Sequence, residues 1–291
     1  MWEGGQSRWG FRSSNIAGNN RVFLFSSLDQ ITARVLEFCR WQELIYGVAA
    51  FVQVLNFLYP PRCAACRERI AMHDGRRVCA QCVERVEKMP LSRCEICGGP
   101  LESVASGAER CARCLAKRPH YRIAHTIARY RTTAEDEPNS LPALIRRHKY
   151  GLDQSVGRAL AEFLGDELPV KAEDYDVVIP VPLHWRRLWW RGFNQAALLA
   201  DEVATRLALP LDTTSMTRRR RTAPQTARHH DERIKNVRRA FAVTYPKRIK
   251  NRRVLLVDDV MTTGATVDEC ARVILAAGAI SVDVFTLARV L

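Results

Sequence analysis

At 291 residues the chain is long enough for two cores, and a 47% apolar composition without a long low-complexity tract describes a folded protein. The formal charge of +14 excludes an acidic solvating chain and favours phosphate-rich partners, because clustered Lys and Arg release condensed counterions from a polyanion. The apolar stretches fall short of the roughly 20 residues a bilayer-spanning helix needs, and the N-terminus lacks the layout of a secretory signal. No transmembrane segment and a cytoplasmic, reducing location are therefore expected.

Residues 1–42 are polar, Gly- and Ser-rich at their start, and carry no motif, so they read as a disordered leader. Residues 43–61 follow as an amphipathic helix, in which the apolar stretch Leu44 to Tyr59 is interrupted by Gln53 and Asn56.

Eight of the ten cysteines then fall between Cys63 and Cys114 as four CxxC pairs: Cys63/Cys66, Cys79/Cys82, Cys94/Cys97 and Cys111/Cys114. Each pair is a knuckle whose two thiolates reach one ion, and two knuckles a dozen residues apart complete a tetrahedral four-cysteine zinc site. Twelve residues separate Cys66 from Cys79, and thirteen separate Cys97 from Cys111. Paired thiols in a reducing compartment favour metal over disulfide. Residues 62–120 thus read as a double zinc ribbon with two structural Zn2+ ions, paired sequentially, with Gly98 and Gly99 turning the third knuckle. His73 and His120 are surplus to two complete cysteine sets, and Cys39 and Cys270 read as small buried residues.

From Ile123 the texture changes to short apolar strands alternating with amphipathic helices, so residues 121–291 read as an α/β domain with a parallel sheet. Ser140 to Pro142 starts a helix and Gly151 stops it; a second helix carries Val156, Ala159, Leu160, Phe163 and Leu164 on its core face. Val177 to Val181 is a buried strand with a rigid Pro180-Val181-Pro182 exit, and Asn194 caps a helix with the face Ala196, Leu199, Ala200, Val203 and Leu207. The stretch Thr217 to Phe241 holds eight arginines from Arg218 to Arg239, with few aromatics, and reads either as a flexible loop that closes over a ligand or as a track for single-stranded DNA. Strand Val254 to Val257, helix Val267 to Ala277 with Gly278 at its end, and strand Val282 to Leu287 close the domain.

The residues between that strand and helix carry the chemistry. The strand delivers Asp258 and Asp259 to the carboxyl edge of the sheet, where α/β folds bind ligands. Thr262, Thr263, Gly264, Ala265 and Thr266 then present backbone N–H groups and hydroxyls at a helix N-terminus, which suits a phosphate. Two adjacent carboxylates suit the paired hydroxyls of a ribose. The loop after the first core strand supplies His184, Arg186 and Arg187, and Arg191 follows in the run RGFNQA; these are candidates for a pyrophosphate loop.

VLLVDDVMTTGAT, Val254 to Thr266, resembles the type I phosphoribosyltransferase signature over all thirteen residues. The tandem cysteine ribbons, HKYG at His148 to Gly151, PVPLHWRR, RGFNQA, APQTARHHDERIKNVRRAF and VLLVDDVMTTGAT, in that order, resemble the ComF competence family across roughly Phe57 to Leu291. The resemblance implies a fold of a phosphoribosyltransferase-type, Rossmann-like parallel sheet with helices on both faces, preceded by the small tandem zinc-ribbon domain. It implies a site for phosphoribosyl pyrophosphate or a nucleotide, with Mg2+ accompanying phosphoribosyl pyrophosphate if the site is active, Asp258 and Asp259 as its catalytic carboxylates on the ribose, and Thr262 to Thr266 on the 5′-phosphate. It further implies a role in DNA uptake during natural transformation beside a competence helicase and DNA-processing proteins. The alternative is an active phosphoribosyltransferase in nucleotide metabolism or salvage, whose base-recognising hood has no counterpart in this sequence.

Overall fold

The structure is a computed structural model. It describes residues 60–70, 76–101, 109–130, 141–150, 159–165, 168–220 and 237–290, with the side chains of 146–150 excepted. The expected leader and apolar helix, His73, Ser140, Gly151 and the middle of the basic stretch from Arg221 to Asn236 lie outside these residues.

Helices α1 (Ala80–Glu84) and α2 (Ala112–Ala116) belong to the two cysteine ribbons, and strand β1 (Ala124–Tyr130) follows. Next come helix α3 (Leu141–Tyr150), helical residues 159–162, strand β2 (Val177–Pro180), and helices α4 (Trp185–Arg191) and α5 (Gln195–Leu207). Strands β3 (Met216–Arg218) and β4 (Phe241–Val243) precede the short helix α6 (Pro246–Ile249). Strand β5 (Arg253–Met261), helix α7 (Ala265–Ala276) and strand β6 (Ser281–Val290) complete the chain.

Strands β1, β6, β5 and β2, in that order, form a sheet in which every pairing is parallel. The two middle strands are near-continuous apolar runs because both their faces are covered. Alternate residues Leu255, Val257, Phe285 and Leu287 pack on one face against α3, residues 159–164 and α5. Val254, Leu256, Val282 and Val284 pack on the other against α7. Asn194 caps α5 by accepting from the Ala196 N–H at 3.2 Å, and its amide donates to the Val181 carbonyl at 3.0 Å, tying helix to strand exit.

Three elements differ from expectation. Strand β5 does not stop at Val257 but runs through both acids to Met261, because β6 is long enough to continue the ladder (Asp258 opposite Thr286, Met261 opposite Arg289). The segment after Pro182, expected as a loop, winds into α4 from Trp185 onward: His184 caps it, its Nδ1 accepting from the Arg186 N–H at 3.3 Å. The ends of the basic stretch pair as the antiparallel strands β3 and β4, Met216 opposite Val243.

The ribbons are built onto the sheet. Cys63, Ala65, Val78 and Cys82 share the core of the α3 and α5 face, whereas Cys94, Ile96, Cys97 and Cys114 share that of the α7 face. Polar contacts lock both seams. The Glu162 carboxylate accepts from the Arg77 and Val78 N–H groups at 2.7 and 2.8 Å. The buried Arg289 at the end of β6 donates to the Cys97 carbonyl at 2.6 Å. Between the ribbons, the Met89 N–H donates to Ile127 and the Arg129 N–H to Glu87, closing the free edge of β1.

Candidate functional site

The eight cysteines of the CxxC pairs gather into two groups, Cys63, Cys66, Cys79, Cys82 and Cys94, Cys97, Cys111, Cys114, with the sulfurs of each within 4.8 Å of one another. The pairing is sequential, as the short spacers dictate. A tetrahedron with Zn–S bonds of about 2.3 Å has edges of about 3.8 Å, and the Cys66–Cys79 and Cys97–Cys111 sulfurs lie 3.7 Å apart. Burial opposes ionisation of Cys63, but N–H groups of Cys79, Cys66 and Ala65 outweigh it and hold the thiol down at about 7. Cys94 is held at about 7 against its burial by the N–H groups of Cys97, Cys111 and Ile96. Burial pushes their partners the other way, Cys66 and Cys82 in the first group and Cys111 and Cys114 in the second, so each group offers one thiol held ready to ionise. With four sulfurs each, the groups are closed, structural zinc-ribbon sites. His120 is elsewhere engaged: its N–H and Nδ1 meet the Asp268 carboxylate at 2.6 and 3.0 Å. Cys270 is fully buried in the sheet core, as expected.

Strand β2 ends at Pro180, opposite Val257, so β5 projects beyond its neighbour on that side. Asp258 and Asp259 occupy the projecting part, half-buried. The Asp258 carboxylate accepts from the Asp259 N–H at 2.9 Å and the Asp259 carboxylate from the Val260 N–H at 2.7 Å, which fixes both side chains beside the main chain. Thr262 to Gly264 then turn the chain into α7. Gly264 is the N-cap with φ +80°, a conformation that disfavours any side chain, and a Cβ there would stand 3.3 Å from Met261 Cε and 3.5 Å from the Tyr121 hydroxyl. The Thr263 hydroxyl accepts from the Ala265 N–H at 3.3 Å. Ala265 and Thr266 form the first turn of the helix.

The basic candidates divide. Arg187 and Asp258 are both close enough to Arg218 to act on its charge, and burial followed by the Arg187 charge pushes the Arg218 guanidinium below its ordinary value. His184 is buried and joins β3 through a bridge to Arg218. Arg186 is exposed, its guanidinium 5.2 Å from the Trp185 ring centre, and Arg191 ends α4, half-buried. The first core strand and the basic stretch thus converge on the side of the sheet where the acids project.

The second ribbon reaches the same turn. Arg113 donates to the Thr263 carbonyl at 3.1 Å. A cavity of about 550 Å3 opens between this ribbon and α7, lined by Arg113, Lys117, His120, Gly264, Asp268 and Arg272 among others; Asp258 and Asp259 are not part of its wall. Sequence reasoning missed Arg113 and the exposed tryptophans of α4. Neither had a periodic signal, although the letters WRRLWWR stand directly after the strand exit.

A chain with two four-cysteine ribbons locked to a parallel α/β sheet that ends in a carboxylate pair and a Thr/Gly turn is a zinc-ribbon phosphoribosyltransferase-type protein. Family models agree with both halves: a double zinc ribbon domain matches residues 54–115 and a phosphoribosyl transferase domain residues 194–290. The chain is 34% identical to the DNA utilization protein YhgH of Salmonella typhimurium over 80% of this chain and 98% of that one. It is 30% identical to Competence protein F of Haemophilus influenzae, over 81% and 100%, and 28% identical to Competence protein ComFC of Bacillus subtilis, over 77% and 88%. The chain belongs to the ComF competence family.

Among the described residues, no helix is long and apolar enough to cross a membrane.

Proposed function

We propose that the chain is a cytoplasmic competence protein acting in DNA uptake, whose Asp258–Thr266 segment binds the ribose and phosphate of phosphoribosyl pyrophosphate or a nucleotide. The observation that carries this reading is the projection of Asp258 and Asp259 beyond the end of β2, followed at once by the Gly264 turn. Two carboxylates then face paired hydroxyls while N–H groups of the helix start face a phosphate. Arg187 and Arg218 supply positive charge on the same side, and Mg2+ would accompany phosphoribosyl pyrophosphate. The names of the relatives, DNA utilization and competence proteins, support the DNA role. In that role the partners are single-stranded DNA, a helicase and DNA-processing proteins.

The match of residues 194–290 to a phosphoribosyl transferase domain favours a second reading, in which the site is active. An acceptor would attack the anomeric carbon, the carbon–oxygen bond to pyrophosphate would break, and pyrophosphate would leave with the electron pair while the acceptor loses a proton. Pyrophosphate release with any base, amine or ammonia decides for that reading.

Asp258→Asn and Asp259→Asn test the site itself. A hydrogen bond to a charged group contributes about 1.5–3 kcal/mol, so each change should weaken phosphoribosyl pyrophosphate at least tenfold by calorimetric titration. Asparagine keeps the oxygen that accepts the Asp259 or Val260 N–H, so the melting temperature should stay near wild type. Unchanged affinity in both variants would sink the assignment.

A further inference from the structure

Eight large apolar residues are exposed among the described residues, and four of them stand on one helix of seven residues: Trp185 is 63% exposed, Leu188 42%, Trp189 86% and Trp190 56%. The other four, Leu91, Leu115, Tyr245 and Ile280, are scattered over separate elements. The remaining residues of α4 are Arg186, Arg187 and Arg191, and the helix carries no acid. Four exposed large apolar side chains on one short helix mark an interaction surface.

We propose that α4 is a base-stacking platform for single-stranded nucleic acid, in which the indoles take bases and the arginines take the backbone phosphates. The proposal rests on the reading of the chain as a DNA-handling protein and adds the place and mode of contact. Charge selects the occupant: the helix adds three positive charges and no negative one, and the exposed Arg186 suits a polyanion. Arrangement selects it further. At 100° per residue, Trp185, Leu188 and Trp189 share one arc while Trp190 falls between Arg186 and Arg187. Trp190 is therefore flanked by basic side chains, as a base is by phosphates. A helix lying in a membrane surface instead segregates its faces, and seven residues span only about 10 Å. The Arg186 guanidinium already lies 5.2 Å from the Trp185 ring centre, so charge and π-face are presented together. The bridge from His184 to Arg218 sets the start of α4 beside β3, where the exposed Arg219 and Arg220 extend the basic surface. A strand stacked on α4 is thereby led toward the side of the sheet that bears Asp258.

The test compares a short oligothymidylate with an abasic oligonucleotide of the same length, each titrated into the full zinc-loaded chain by fluorescence anisotropy. Trp189→Ala and Trp190→Ala lose little packing because both rings are exposed, and their zinc content and melting temperature verify the fold. Wild type should prefer the oligothymidylate. Each variant should lose about tenfold toward it and nothing toward the abasic strand, since base–aromatic stacking is sensitive to the base and charge is not. Trp189→Phe, which keeps a π-face, should recover most of the loss. Wild-type oligothymidylate affinity in both alanine variants overturns the platform while leaving the DNA reading intact. Absence of binding by wild type to either oligonucleotide fails the DNA reading and this inference together. Unchanged DNA binding with lost binding to vesicles of equimolar phosphatidylcholine and phosphatidylglycerol assigns α4 to a membrane surface and also overturns it.

Discussion

Replacing Glu162 with Ala should loosen the first ribbon while leaving the second in place. Its two carboxylate oxygens each accept one main-chain N–H, from Arg77 at 2.7 Å and Val78 at 2.8 Å, and Val78 is fully buried. A hydrogen bond to a charged acceptor contributes about 1.5–3 kcal/mol. The two together give an upper bound of about 6 kcal/mol, and the half-buried position of Glu162 brings the expected cost down to about 3 kcal/mol through solvent screening. For a unit of this size each kcal/mol shifts the melting temperature by roughly 2–4 °C, so a fall of about 6–12 °C is expected. Glu162→Gln keeps one acceptor but turns an NH2 toward the other N–H, and should recover less than half. Zinc release to a chromogenic chelator reads the seam directly: one of the two ions should leave faster in the variant, the other at the wild-type rate. Equal release of both ions together with an unchanged melting curve would refute the reasoning, because the first ribbon would then be held by apolar packing alone.

Gly98→Ala should destabilise the second ribbon by about 1–3 kcal/mol, since a Cβ there would lie 2.5 Å from the Ala124 carbonyl and the residue has φ +66°; thermal melts and zinc stoichiometry check it. Lowering the pH should remove the contribution of Asp176. Hydrogen bonds from the Arg253 guanidinium and then from its N–H hold the Asp176 carboxyl down at about 2, against an ordinary value near 3.9 in the unfolded chain. A depressed folded value means that the stability is fully present above about pH 4 and is lost as pH falls toward 2. Asp176→Asn should flatten that part of the acid stability curve; an unaltered slope between pH 4 and 2 would show that the pair does not couple to folding.

Legibility followed range. The zinc ligands were legible because each ribbon is closed by neighbours in sequence: the Cys66 and Cys79 sulfurs meet across 13 positions. The strand, turn and helix around Asp258 were legible because one local run contains the apolar strand, the acids and the glycine. The seams were not. Glu162 meets Arg77 across 85 positions, Arg113 meets Thr263 across 150 and Arg289 meets Cys97 across 192. No periodicity joins such partners, and a lone Glu or Arg reads as a solvated surface charge. The pairing of β3 with β4 was hidden for a related reason: three-residue strands give too little alternation, and the arginine-rich sequence between them reads as loop. Helix α4 was hidden by its brevity, for seven residues are fewer than the window over which a helical period can be read.

The long-range contacts change what the ribbons mean for the site. If they were independent modules, their zinc would stabilise only themselves. Instead Arg289, next to last in β6, is bonded to the Cys97 carbonyl, and the same strand pairs with β5 through Asp258 and Met261. Arg113, between Cys111 and Cys114, holds the Thr263 carbonyl, while His120 holds Asp268 in the first turn of α7. The second ribbon therefore grips both ends of the Thr262–Thr266 turn, from the strand before it and from the helix after it. On the proposed reading of that turn as a phosphate cradle, a metal with no open coordination position would contribute by geometry alone, fixing N–H groups that would otherwise have to be ordered when the phosphate arrives.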